Sequence, residues 1–158
     1  MSGKPDYNSL ADVADDERLA RFIYTPSAMI DDGELSSEAF ALVNLKDGRG
    51  ESYVSVSMIG GRTLTLRDAP HPNRYRAATP YGYAMLLTSH VKRLRIADVH
   101  TEVKDHSTAE SPYHAGIHYF KGAEMIRGKC TAPSYLATLT ALKNASTLVR
   151  FPTNEQQA

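Results

Sequence analysis

SYVSVSMIGGRTLTLR, from Ser52 to Arg67, is the stretch whose reading decides the fold class. Tyr53, Ser55 and Ser57 alternate with Val54, Val56 and Met58, the period-2 signature of a strand with one buried face. Gly60-Gly61 supplies the residues a two-residue type I′ turn tolerates. Arg62 to Arg67 resumes an alternating pattern. The stretch therefore predicts a central β-hairpin, 52–59 paired with 62–67.

Outward from that hairpin, the pattern mixes strands and helices without regular βαβ alternation. Phe22-Ile23-Tyr24-Thr25 reads as a strand ended by Pro26. Arg95–Val103 and Ala115–Phe120 read as extended, and Leu148–Phe151 closes the pattern ahead of Pro152. Glu38–Leu45 is apolar on both sides, so its periodicity fits a buried strand or a short helix equally. Ser9 and Asp12 have the form of a capping box and predict a helix from Leu10 to Arg21. Thr79-Pro80 pairs an N-cap residue with proline at the first helical position. Tyr83, Leu87, Val91 and Leu94 then give that predicted helix an apolar stripe. Pro133 and Ser134 open another, carrying Tyr135, Leu136, Leu139 and Leu142. These elements predict an α+β fold: a mostly antiparallel sheet under two to three packed helices, in a single pair of layers. One globular domain over residues 9–152 is expected, with polar, flexible ends at 1–8 and 153–158. Asp68–Ala78, rich in Pro and Arg, is expected to be an irregular loop.

Composition narrows the function classes. Eighteen basic and eighteen acidic residues cancel. Zero net charge gives no long-range field for DNA, RNA or an anionic membrane. It also protects little against self-association, which leaves a homodimer open. The single cysteine, Cys130, rules out an intrachain disulfide and a cysteine-based zinc site. No signal-peptide pattern opens the sequence and its apolar runs are short, so a cytoplasmic location off the membrane is expected.

The densest chemistry lies between His90 and His118, which hold five of the six histidines. His114 and His118 are four apart. On a helix they could share an ion; on a strand they stand roughly 13 Å apart. Ala115 occupies the position where a zincin would carry its general-base Glu, and Gly116, Ile117, Tyr119 and Phe120 favour a strand. The expectation is therefore no metal, the alternative being a divalent ion such as zinc on His106, His114 and His118. His100 and Glu102 point the same way along a strand. With His114 they are the catalytic candidates, since a carboxylate beside an imidazole builds a general base. The bland reading is a surface ion pair. His106, Tyr113 and His114 bracket a polar loop and are the ligand-binding candidates. Arg74 and Arg76 join them as cations for a small anion. Cys130, beside Lys129 and ahead of a helix, could be an activated thiol; no nucleophile signature surrounds it.

No phosphate loop, dinucleotide fingerprint or nucleophile elbow occurs. The expectation is a small intracellular binding or accessory protein. It would act through protein–protein or small-ligand contacts, with a protein partner favoured and no cofactor. The alternative is an enzyme using residues 100–118, either for metal-assisted hydrolysis or for acid–base and transferase chemistry on an anionic, nucleotide-like substrate.

Overall fold

The computed structural model describes residues 7–45, 47–70 and 78–152. Arg74, Arg76 and His71 lie outside the described residues, as does most of the loop expected at 68–78. The fold is mostly antiparallel sheet with few helices. Among the described residues the strands are β1 (Arg18–Thr25), β2 (Ile30–Asp31), β3 (Glu34–Leu35), β4 (Val54–Met58), β5 (Thr79–Leu87), β6 (Arg95–Ile96), β7 (Val99–Asp105), β8 (His114–Lys121), β9 (Glu124–Met125) and β10 (Thr147–Arg150). The helices are α1 (Thr88–Lys92) and α2 (Pro133–Ala145). Eight strands form one sheet in the order β10-β5-β1-β4-β8-β7-β6, with β9 also on β8. Every pairing in it is antiparallel.

Three expectations fail, the first because a strand buried on both faces loses the alternation that identifies it. The helix expected at Leu10–Arg21 is absent. Residues 11–13 instead run beside β7, with Val13 N–H donating to the Val103 carbonyl and Asp12 bridging Lys104. From Arg18 the chain is the central strand β1, whose Leu19, Ala20, Phe22, Ile23 and Tyr24 are all buried. The helix expected from Thr79 is strand β5 up to Leu87; only Thr88–Lys92 coils. Its tyrosines and aliphatics fall on both sides of the strand, so a 3.6-residue stripe could be picked from a period-2 structure. The hairpin fails differently. β4 forms as expected, but β1 takes one of its edges and β8 the other. Residues 62–65 form no strand, and Leu66–Asp68 is a 3₁₀ turn capped by Thr65 and Asp68. Arg62 folds back onto the Met58 and Ile59 carbonyls. A two-sided strand has no free edge for a hairpin partner.

Other elements agree with the sequence pattern. β8 covers the expected 115–120 strand, and α2 carries buried Tyr135, Leu139 and Leu142. Leu136 is exposed rather than part of that stripe. Glu38 and its neighbours form a 3₁₀ turn, Ser37–Phe40, capped by the Ser36 hydroxyl. No helix among the described residues is long and apolar enough to cross a membrane.

Opposed residues of an antiparallel pair share a face. Val54, Ile117 and Val103 thus line one face, together with Tyr119. This face is sealed by α2 and the 3₁₀ turn. Tyr119 OH donates to the Phe40 carbonyl at 2.6 Å, and Tyr135 OH accepts from Leu42 N–H at 2.7 Å. Burial of such side chains contributes roughly 1.5–3 kcal/mol each. The other face carries Ser55 opposite Gly116, Ser57 opposite His114 and Glu102 opposite His118. Polar residues on a sheet face need partners or water, and this face holds the site.

Candidate functional site

Strand β8 places His114, Gly116 and His118 in one row on the polar face. Over the middle of that row, Gly116 leaves room for two rings. Tyr53, just before β4, stacks on His106, just after β7, at 4.0 Å and 18°. A Cβ on Gly116 would stand 2.5 Å from Tyr53 Cδ2 and 3.0 Å from His106 Cδ2. Glycine is therefore required here for close approach, not for backbone freedom. The stack sits between the two β8 imidazoles, with the Tyr53 ring 5.7 Å from His114 and 5.2 Å from His118. Tyr7 closes the His118 end, edge-on at 4.9 Å. Around these rings lies a cavity of 380 Å³, also lined by Ser52, Met125 and Arg127.

His106 and His118 meet head to head, with Nε2 atoms 2.9 Å apart. The ring centres are 5.2 Å apart and the planes 18° from parallel. Each nitrogen lies about 1.2 Å from its ring centre, so a fully in-line contact of this length separates the centres by about 5.3 Å. The pair is thus collinear, the geometry of an N–H···N hydrogen bond in which one ring donates and the other accepts. An ion bound to both nitrogens would require the rings to swing off that line. Among the described residues no set of three or more His, Cys, Asp or Glu is placed to hold a metal.

His118 is 2% exposed, and its Nδ1 has no hydrogen-bond partner. Burial pushes its pKa down to about 3, and the positive charge available to His106, Lys104 and Arg127 pushes the same way. The Ser52 backbone pulls weakly upward, short of a well-formed bond. His118 is therefore neutral across the physiological range. His114 is half-buried, and burial lowers its pKa also, against a smaller upward pull from Asp105 and the His106 backbone. Its Nε2 stands 3.3 Å from Ser55 Oγ. It is a neutral imidazole with a nitrogen able to take a proton.

The structure thus brings His106, His114 and His118 to one cavity. The His100–Glu102 pair forms, with Nε2 3.5 Å from Oε2, but lies outside the cavity lining. Glu102 also accepts a hydrogen bond from Tyr7 OH, and His100 stacks on Phe120 at 5.2 Å. Glu102 thereby holds the chain segment at Tyr7. Tyr113 is 45% exposed, with the Arg62 guanidinium 3.5 Å above its ring. It lines a neighbouring groove with His114. Cys130 packs against the core, and His90 is exposed on α1. Tyr7, Tyr53, Ser55 and Arg127 were not singled out from the sequence. Gly116, set inside a predicted strand, was the available sign that something packs closely there. Set beside family models, curated proteins and solved structures, the chain matches none of them.

Proposed function

We propose that the protein binds a small polar ligand in the cavity over Gly116, between the Tyr53–His106 stack and the imidazoles of His114 and His118. Small-molecule sites are concave, mostly apolar, and furnished with a few convergent polar groups. The convergence of three imidazoles and two tyrosines on one cavity, from the chain before β4, from the β7–β8 connection and from β8 itself, carries this reading. Tyrosine and neutral histidine offer flat surfaces and hydrogen bonds without a strong field. A protein partner has less support: Tyr113 and Leu136 are the exposed large apolar residues among those described, and neither forms a patch.

Observing the imidazole resonances of ¹⁵N-histidine-labelled protein during a screen of small heterocycles tests it. Ligands should shift the His106 and His114 signals, and replacing Tyr53 with Ala should abolish those shifts. Ligands that perturb only other histidines would place the site elsewhere.

A second reading has its own observation. The 3.3 Å approach of Ser55 Oγ to a neutral His114 Nε2 supports acid–base chemistry at that position. In that case His114→Ala removes turnover while ligand binding persists.

A further inference from the structure

The cavity does not end at His114. A groove of 600 Å³ opens on its other side, and His114 lines both spaces. The two differ in chemistry. The cavity is lined mainly by rings and hydroxyls, with Arg127 and Asp105 as its charged residues. The groove carries the guanidiniums of Arg21, Arg62 and Arg67 against the carboxylates of Asp68 and Glu110. Asp68 is already engaged by the Thr65 N–H at 2.7 Å and by Arg62 at 3.9 Å. Arg21 donates to the Ala39 and Ser55 carbonyls, and Arg62 to those of Met58 and Ile59. Arg67 is exposed and has no hydrogen-bond or ionic partner among the described residues. Its charge faces solvent on the groove wall.

We propose that the cavity and the groove are two halves of one site for a nucleoside monophosphate, with the base among the Tyr53–His106 rings and the phosphate beside Arg67. The inference rests on the small-ligand reading above and adds the ligand class. A heterocyclic base is flat, stacks on tyrosine and imidazole, and exchanges hydrogen bonds with neutral groups. A phosphate suits arginine. His114, shared by both spaces, and Ser55, on the groove side 3.3 Å from its Nε2, stand where the sugar would pass between them. Zero net charge on the whole chain fits a single nucleotide better than a polyanion.

Isothermal titration with AMP at low salt tests the idea, with GMP, CMP and UMP alongside for base preference and with adenosine and inorganic phosphate as the separated halves. AMP, or its preferred counterpart, should bind at least about ten-fold more tightly than its nucleoside, an advantage that shrinks as salt is raised. Arg67→Gln should remove that advantage and leave nucleoside affinity unchanged. Equal affinity for nucleotide and nucleoside would overturn the two-part site while leaving the cavity reading in place. Binding of phosphate alone, or of none of these probes to folded protein, would also overturn it; the cavity reading then depends on the histidine-resonance screen.

Discussion

Tyr53 lies flat above Gly116, and a single methyl group on that glycine would stand 2.5 Å from the ring. The obstruction is also 3.0 Å from His106, so neither ring can yield alone. Gly116→Ala is expected to destabilise the protein by about 1–3 kcal/mol through overpacking and to abolish ligand-induced shifts at His106. Gly61→Ala is the matched control, because nothing lies within 4 Å of its added carbon. Urea denaturation of the two variants should separate them clearly. Equal stabilities would mean that the stack does not sit where the structure has it.

His118 should make the protein acid-sensitive. Its folded pKa of about 3 lies below the ordinary 6.5. Between those values the unfolded chain binds more protons than the native one, so stability rises with pH across the window and is lost as pH falls through it. The full effect between pH 7 and pH 3 is up to about 4 kcal/mol. Other groups contribute too, such as Asp12, whose carboxyl is held low by its bond to Lys104. The diagnostic is therefore a difference: His118→Leu should show a shallower loss of stability than the parent between pH 6.5 and 4. Parallel pH profiles would rule out a neutral, buried His118.

Histidines 106 and 114 should respond oppositely in stability and binding. His106→Ala strips the remaining hydrogen-bond partner from a buried ring and is expected to cost about 1–3 kcal/mol. His114 is half-buried, with a long 3.3 Å polar contact to Ser55 and looser ring contacts to Tyr53 and His106 at 5.7 Å each. His114→Ala should change stability by less than about 0.5 kcal/mol, as surface substitutions usually do, yet weaken ligand binding. Thermal unfolding and the titrations above, run on the same two proteins, make the comparison.

Tyr7 fastens the start of the described chain to β7 through Glu102. Desolvation and the neighbouring carboxylate both raise its pKa, so the phenol remains protonated and donates. Tyr7→Phe should cost about 1 kcal/mol. It should also speed amide hydrogen exchange at Val13 and Asp105, whose N–H groups bond across that junction. Unchanged exchange there would mean that the ring contacts alone hold the segment.

Legibility in the sequence varied with how many faces of an element are buried. α2 could be read because Tyr135, Leu139 and Leu142 recur at helical spacing beneath exposed neighbours. β8 could be read because glycine and β-formers surround His118. β1 could not, because both its faces are covered and alternation disappears; β5 could not, because its sequence is apolar on both sides although only alternate positions are fully buried. Alternation did identify β4 itself, but said nothing about its partners, which are set by chain topology over long sequence separations. The same limit applied to the site. Strand spacing correctly separates His114 from His118. The meeting of His106 with His118 follows from the β7–β8 register, which sets Glu102 opposite His118 and returns the connection over Gly116. No local pattern encodes that return.

The position of β4 has a consequence for biosynthesis. Its two neighbours come from opposite ends of the chain, one made before it and one long after. While a ribosome is still producing the residues between β4 and β8, a Val-Ser-Val-Ser-Met ribbon waits with an unoccupied rim. Exposed rims of this kind recruit other nascent or misfolded chains. Translation that stalls before His114 would therefore release an aggregation-prone fragment rather than a partly working protein.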